Sequence, residues 1–340
     1  MKVMFGAASP SRKVASRPFI LRPEDVFMRK LLTALLLATV ACGGSLATTT
    51  TTTVATTAVP TTTEATGFPA TVETAIGPLT IAERPEAIVS LAPVATEMLA
   101  AVGALEQVIA VDDQSNYPTN VPVTDLSGFN PNIEAIASYQ PDLVVISNDI
   151  DNMVASLQSL DIPVLLLPAA VTMDDVYTEI KLLGIVTGHA SEAEDLTEQM
   201  ANEIESLVSD IEPPAEPVTY YHEIDPLLFS VTSTTFIGSI YSLFGMENIA
   251  DAADPDGLGY PQLSAEHIIE SDPDFIFLAD TGFALQTPET VAARPGWAGM
   301  TAVTSGRVIP LDDDVASRWG PRVVDFVRAV AEAVALQPVG

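Results

Sequence analysis

The sequence contains the same sixteen-residue pattern twice, at residues 131–146 and 263–278. In each copy a glutamate, Glu134 or Glu266, precedes a Pro-Asp pair by seven residues, and four apolar residues follow the pair. This pattern predicts a short helix, a turn and a buried strand, in that order. The glutamate falls in the first helical turn, where a carboxylate suits the helix dipole. A chain that repeats one such unit is predicted to fold into two similar lobes.

Strand and helix patterns alternate from about residue 75, which predicts an α/β fold with parallel sheets. An N-terminal lobe is predicted over 75–171 and a C-terminal lobe over 213–340, with 227–231 among its strands. Helical periodicity over 172–212 predicts a linking helix, in which Gly184 and Gly188 are possible points of interruption.

The N-terminal region is interpreted as a targeting and anchoring segment. Residues 28–42 form a basic stub and an apolar run that ends at Cys42, which is typical of a lipoprotein signal peptide. The run is too short to span a bilayer. Residues 1–27 are interpreted as a mis-assigned start or a disordered extension, and the Thr-rich segment 43–74 as a disordered tether. We therefore expect an extracytoplasmic protein anchored to the cell membrane by lipidated Cys42; an ordinary signal peptide that happens to contain cysteine is the alternative.

Charge and composition exclude several classes of function. After Cys42 the chain carries 43 acidic residues against seven basic ones, a surface that repels nucleic acid. One cysteine rules out an internal disulfide, and the three scattered histidines lack metal-ligand spacing. Neither a nucleophile elbow nor a phosphate-binding Gly-rich loop is present. The acidic runs at 112–113 and 312–314 are interpreted as solvated loops, so neither an enzyme nor an intrinsic cofactor is expected.

Several short motifs occur in a characteristic order. They are Ile88-Val89-Ser90-Leu91-Ala92-Pro93 with Thr96-Glu97, Asn116-Tyr117-Pro118, the two repeated units, and Arg318-Trp319-Gly320-Pro321-Arg322. Over roughly residues 76–335 the chain thereby resembles the helical-backbone class of periplasmic binding proteins, which receive vitamin B12, siderophores or heme for ABC importers. The resemblance implies two Rossmann-like lobes with central parallel sheets, joined by one long backbone α-helix.

The resemblance also implies where the chain binds its ligand and its partners. A small-molecule chelate would lie in the cleft between the lobes, contacted by loops at strand ends. Glu134 and Glu266 would dock a monomer onto the permease dimer, which carries a cytoplasmic ATPase. The ligand-binding candidates are Pro93, Val94, Tyr117, Phe129, Asn148, Asp149, Tyr260, Arg318 and Trp319.

The ligand itself stays open at this point. Only two tryptophans occur, Trp297 and Trp319, fewer than the vitamin B12 receptors place in their clefts. A siderophore pocket usually has more than one arginine, and a heme receptor needs an axial Tyr or His. A zinc or manganese receptor would need converging imidazoles. A surface sensor or co-receptor without transport is a further alternative.

Overall fold

The computed structural model describes residues 67–211 and 216–335. The predicted start region, the signal peptide with Cys42 and the tether up to residue 66 lie outside the described residues. Within the described part, the strands are β1 (Ala70–Thr74), β2 (Gly77–Ile81), β3 (Ile88–Ser90), β4 (Val108–Val111), β5 (Leu143–Ile146), β6 (Val164–Leu166), β7 (Val218–Glu223), β8 (Met246–Asn248), β9 (Phe275–Leu278) and β10 (Val308–Pro310).

The helices of the described part connect these strands. They are α1 (Pro93–Ala101), α2 (Ile133–Ser138), α3 (Met153–Gln158), α4 (Met173–Thr187), α5 (Ala190–Ser209), α6 (Phe236–Ser242), α7 (Ala265–Ser271), α8 (Pro288–Ala292), α9 (Thr301–Thr304), α10 (Asp313–Ser317) and α11 (Val323–Ala335).

Two four-stranded parallel sheets have the same strand order. The first runs β4-β3-β5-β6 and the second, read from its other edge, runs β8-β7-β9-β10. In both, the first strand in the chain pairs with the second on one side and the third on the other. The two repeated units supply α2 with β5 and α7 with β9, which are equivalent positions in the two sheets. The predicted α/β fold with two lobes is confirmed.

The segment predicted as one linking helix is divided. Helix α4 starts with a capping box formed by Thr172 and Asp175 and ends at Gly188, which adopts a left-handed conformation (φ +78°). Helix α5 then packs against α4. A Cβ atom on Gly184 would lie 2.4 Å from that of Ala193, so glycine permits this close packing. The predicted linking segment therefore contains two helices, divided at the predicted interruption Gly188, and α5 is the long helix that leads to the second sheet.

Two further predictions need correction. The composition predicts a disordered tether up to residue 74, yet residues 70–74 form β1, which pairs antiparallel with β2. Residues 227–231 were predicted as a strand, but Phe229 makes only an isolated bridge to Gln262. The Thr-rich composition around residues 70–74 hides the hairpin, and the apolar run at 227–231 is interrupted by Leu228, whose φ of +68° is incompatible with a strand.

The apolar core continues from one lobe to the other. Met98 of α1, Met200 of α5 and Val327 of α11 belong to one buried cluster. Separate clusters cover the opposite side of each sheet, around Val144 in the first and Ile276 in the second. Because α5 packs on both α4 and α11, it joins the lobes through buried contacts.

Candidate functional site between the two sheets

Both sheets have a topological switch point, where connections leave adjacent strands in opposite directions. It lies between β3 and β5 in the first sheet and between β7 and β9 in the second. Ligands of open α/β sheets bind at the carboxyl ends of the strands at such points. Asn116, which follows β4, donates to Asp314, which follows β10, at 2.7 Å. The carboxyl edges of the two sheets therefore approach each other across the lobe boundary.

The first sheet presents three of the predicted ligand residues at its switch point. Pro93, Phe129 and Asn148 line one crevice with Leu91 and other residues of the same strand ends. Its volume of about 30 Å³ is too small for a chelate, so the crevice can form only part of a binding surface. Phe129 is 71% exposed although it is aromatic.

The second sheet presents a larger apolar surface at its carboxyl edge. Tyr260 is 53% exposed, and Phe283 and Leu285 are 67% and 72% exposed. Leu227 and Leu258, on adjoining loops, are also exposed. Backbone hydrogen bonds from Ser230 to Pro261 and from Leu263 to Leu228 hold the two loops together. Several exposed apolar side chains at one sheet edge are typical of a binding surface.

Three other predicted ligand residues occupy different environments. Val94 is buried in the core, and its side chain does not line the crevice beside Pro93. The exposed carboxylate of Asp149 accepts a hydrogen bond from the backbone N–H of Val154. The ring of Tyr117 stacks on the guanidinium of Arg322, 4.3 Å from its carbon. The structure therefore does not place these three side chains together with Pro93, Phe129 and Asn148.

Arg318 takes part in an ion-pair network between the lobes. Its guanidinium donates to Glu97 Oε1 at 2.7 Å and to Asn116 Oδ1 at 2.9 Å, and it pairs with Asp314 at 2.6 Å. Arg322 donates to both oxygens of Glu97, at 2.6 and 2.9 Å. Glu97, on α1, is buried, so one carboxylate of the first lobe binds two arginines of the second.

Trp319 makes a second polar contact between the lobes. Its indole Nε1 donates to Glu179 Oε2 on α4 at 3.1 Å. Burial raises the pKa of the Glu179 carboxyl to about 8; the Trp319 hydrogen bond opposes this rise and the charge of Asp175 adds to it. Glu179 is therefore largely protonated at neutral pH.

Replacing Glu179 by glutamine should change how stability depends on pH. Because the folded-state pKa lies above the ordinary value of 4.5, the contribution of this group is fully present below that value and is lost as pH rises through about 8. Glu179→Gln should therefore exceed the wild type in free energy of unfolding by roughly 1–4 kcal/mol near pH 8.5, since one pKa unit corresponds to about 1.4 kcal/mol. Urea unfolding of both proteins near pH 5 and 8.5 measures this. The exposed Glu332 provides the control; a gain with Glu332→Gln of equal size would contradict the assignment.

The two predicted docking glutamates occupy equivalent positions. Glu134 and Glu266 lie in the first turns of α2 and α7, and both are exposed. Asn132 and Ser264 cap these helices by accepting hydrogen bonds from backbone N–H groups. Because the caps are separate residues, the glutamates are not needed to begin the helices.

The chain matches a known protein family over most of the part that contains the two sheets. The periplasmic binding protein family model matches residues 88–315. The chain belongs to the periplasmic binding protein family. An uncharacterised ABC transporter substrate-binding lipoprotein of Bacillus subtilis is 30% identical over 283 residues, covering 78% of this chain and 86% of that protein. A cobalamin-binding protein of Halobacterium salinarum is 30% identical over 270 residues, covering 75% of this chain and 71% of that protein.

Solved periplasmic binding proteins share the fold. The vitamin B12 binding protein of Vibrio cholerae has a TM-score of 0.60 at 24% identity, covering 74% of this chain and 97% of that one. A heme-binding protein of Roseiflexus has a TM-score of 0.62 at 23% identity, with 74% and 99% covered. These identities support the two-lobed architecture alone.

The described residues of this family member contain neither a candidate metal centre nor a helix suited to crossing a bilayer. Over 67–211 and 216–335, no group of three His, Cys, Asp or Glu side chains is arranged to hold a metal ion. No helix in the same ranges combines the length and apolarity that a membrane span requires.

Several residues at the lobe boundary and at the carboxyl edge of the second sheet were not predicted from the sequence. Glu97 and Arg322 belong to the short motifs described above. They are 225 residues apart, however, so the local sequence gives no indication that they form an ion pair. Phe283 and Leu285 lie in a loop without a distinctive pattern. The carboxyl groups of Glu223 and Asp280, at the ends of β7 and β9, are both fully buried. Only the sheet order, by making these strands neighbours, reveals that they are close.

Proposed function

We propose that this periplasmic binding protein is the extracytoplasmic, lipid-anchored substrate-binding component of an ABC importer. It captures an iron-siderophore or cobalamin-like chelate between its lobes and delivers it to the permease. The observation that carries the proposal is the exposed apolar surface at the switch point of each sheet, with Phe129 on one side and Tyr260, Phe283 and Leu285 on the other. Broad aromatic contacts suit a flat, bulky ligand.

A neutral ligand with amide groups fits the charges of this site best. Arg294 and Arg318, which bind residues at or next to strand ends, are already paired with Glu223 and Glu97. An anionic siderophore or a heme propionate would have to compete with these carboxylates. Relatives at about the same level of identity as those above are named cobalamin-binding and vitamin B12-binding proteins. Cobalamin is therefore the first ligand to test.

Heme is the second candidate because of one observation. Tyr260 is half-exposed on a loop at the carboxyl edge, and a tyrosine oxygen can serve as an axial ligand of heme iron. His222 is unsuited to that role, since it is buried, bonded to Tyr241, and has its pKa lowered to about 3 by burial.

A binding titration tests the proposal directly. The mature chain is titrated with cyanocobalamin, hemin and ferric siderophores of different charge, with fluorescence quenching and calorimetry as readouts. We expect cyanocobalamin to bind with one site per chain. Phe129→Ala and Tyr260→Ala should each weaken binding by about tenfold or more, because buried aromatic contacts dominate such interfaces. Leu160 supplies a matched control, since it is also exposed but precedes β6 at the opposite edge of its sheet.

The outcomes of the titration distinguish between cobalamin and heme as the ligand. Tight binding of hemin that Tyr260→Phe abolishes would establish the heme alternative. If no chelate binds, or if Leu160→Ala weakens binding as much as the two aromatic variants, the assignment of the ligand site is wrong.

A further inference from the structure

Two carboxyl groups meet beneath the exposed apolar loop of the second lobe. Glu223 ends β7, and Asp280 follows the end of β9, where Leu278 pairs with Glu223 in the sheet. Both side chains are fully buried, and because their strands are neighbours the charge of Glu223 acts on Asp280. This pair occupies the switch point of the second sheet, directly below the surface that the proposed ligand would contact.

The guanidinium of Arg294 lies next to these two buried carboxyl groups. Arg294 donates to both oxygens of Glu223, each at 2.6 Å. Neither oxygen of Asp280 accepts a hydrogen bond from a donor in the part of the chain that the structure describes, and the buried hydroxyl of Tyr221 is likewise without a partner there. The remaining charged neighbour is Asp313, another acid. A second buried negative charge would have no compensation, so retention of one proton is favoured.

The acid–base properties agree with this geometry. Burial, followed by the charge of Glu223, raises the pKa of Asp280 to about 7, whereas Arg294 opposes the rise. Two interacting carboxyl groups titrate as a pair, and the proton belongs to both.

Asp280 also anchors the loop above the pair. Its backbone carbonyl accepts hydrogen bonds from the N–H groups of Ala284 and Gln286, at 3.2 and 3.3 Å. Gln286 Oε1 in turn accepts from Arg294 at 2.8 Å. On the other side, the carboxylate of Asp313 accepts from the N–H groups of Gly282 and Phe283. The loop of residues 280–287 thus depends on the same charged cluster.

We propose that Glu223 and Asp280 share one proton, and that this proton holds the loop of residues 280–287 in place so that ligand is retained less well as pH rises. The residues are positioning groups, because both are buried and act through the loop. The ligand part rests on the proposed function, whereas the proton and the loop do not. When the proton leaves, two carboxylates face one guanidinium, and the repulsion loosens the loop that presents Phe283 and Leu285.

Hydrogen exchange of the ligand-free protein tests the proton and the loop. Protection of the Ala284 and Gln286 amides, corrected for intrinsic exchange, should fall about tenfold between about pH 6 and pH 8.5. Asp280→Asn should remove this dependence, because an amide donates to Glu223 at every pH. Glu332→Gln, at an exposed carboxyl, should behave as the wild type. Equal protection at both pH values in the wild type, or the same fall in Asp280→Asn, would overturn the proposal.

Binding of cyanocobalamin, whose charge is constant from about pH 6 to pH 8.5, tests whether the shared proton affects ligand retention. Its Kd for the wild type should rise about tenfold from about pH 6 to pH 8.5 and should stay level for Asp280→Asn. A wild-type Kd that does not change over this pH range would refute the coupling between the shared proton and ligand binding. Absence of cyanocobalamin binding at every pH would count against the proposed ligand, and the exchange experiment would still decide the proton and the loop.

Discussion

Uptake should be lost when Glu134 and Glu266 are both replaced by alanine, while ligand affinity in solution stays unchanged. Both carboxylates are exposed in the first turns of equivalent helices, so under the docking hypothesis each lobe would present one carboxylate to one half of the permease. Charge pairs at a rim steer and orient docking, and removing both should lower the transport rate by about tenfold or more. Transport into proteoliposomes that contain the permease and its ATPase, together with a solution titration, measures the two properties separately.

Matched variants make this result interpretable. Each single variant should retain intermediate transport, because one docking contact remains. Glu205→Ala removes an exposed glutamate from α5 and should leave transport unchanged. The docking assignment would be refuted by a double variant that loses ligand binding as much as transport. Full transport by the double variant would refute it as well. If the wild-type chain supports no transport with any permease tested, the sensor or co-receptor alternative is favoured instead.

The repeated unit was the strongest guide to the fold because its consequences are local. A glutamate, a Pro-Asp turn and four apolar residues favour a short helix followed by a buried strand, and both copies in this chain adopt that structure. The structure places both copies at the third strand of a sheet with the same order, and this equivalence explains why the sequence predicts two similar lobes.

The linking segment and the hairpin show where local patterns were insufficient. Helical periodicity continues from α4 into α5, so the period alone indicates one helix. The division depends on the left-handed Gly188 and on the packing of Ala193 against Gly184, which is a tertiary contact. Strand β1 adjoins a Thr-rich segment of similar composition, and its pairing with β2 distinguishes it from that segment.

The candidate site was only partly predictable for a related reason. Pro93, Phe129 and Asn148 follow strands, and the position of a strand end is readable from sequence. The surroundings of Arg318 are not, because its partner Glu97 lies 221 residues away in the other lobe. The local sequence around an arginine does not show whether the side chain binds a ligand or joins two lobes. Only the fold distinguishes these roles.

Replacing Glu97 by alanine should be the most destabilising single change at the lobe boundary. The carboxylate is buried and accepts three hydrogen bonds from Arg318 and Arg322, at distances from 2.6 to 2.9 Å. Its removal leaves two partly buried guanidinium groups without their shared counter-ion. Removing one partner of a buried ion pair costs about 3–5 kcal/mol. For a domain of this size we expect the Tm to fall by roughly 10 °C, measured by calorimetry.

Two comparisons distinguish the effect of breaking the ion-pair network of Glu97, Arg318 and Arg322 from the effect of removing any surface charge. Glu106→Ala removes an exposed glutamate of the same lobe and should change the free energy of unfolding by less than about 0.5 kcal/mol. Arg322→Lys keeps the positive charge but loses the two-pronged contact with Glu97, so it should lie between the wild type and Glu97→Ala. A spin-label distance between the lobes should broaden in Glu97→Ala and stay narrow in Glu106→Ala. If both alanine variants match the wild type in stability and in this distance, the network does not hold the lobes together, and the buried contacts of α5 with α4 and α11 alone set their arrangement.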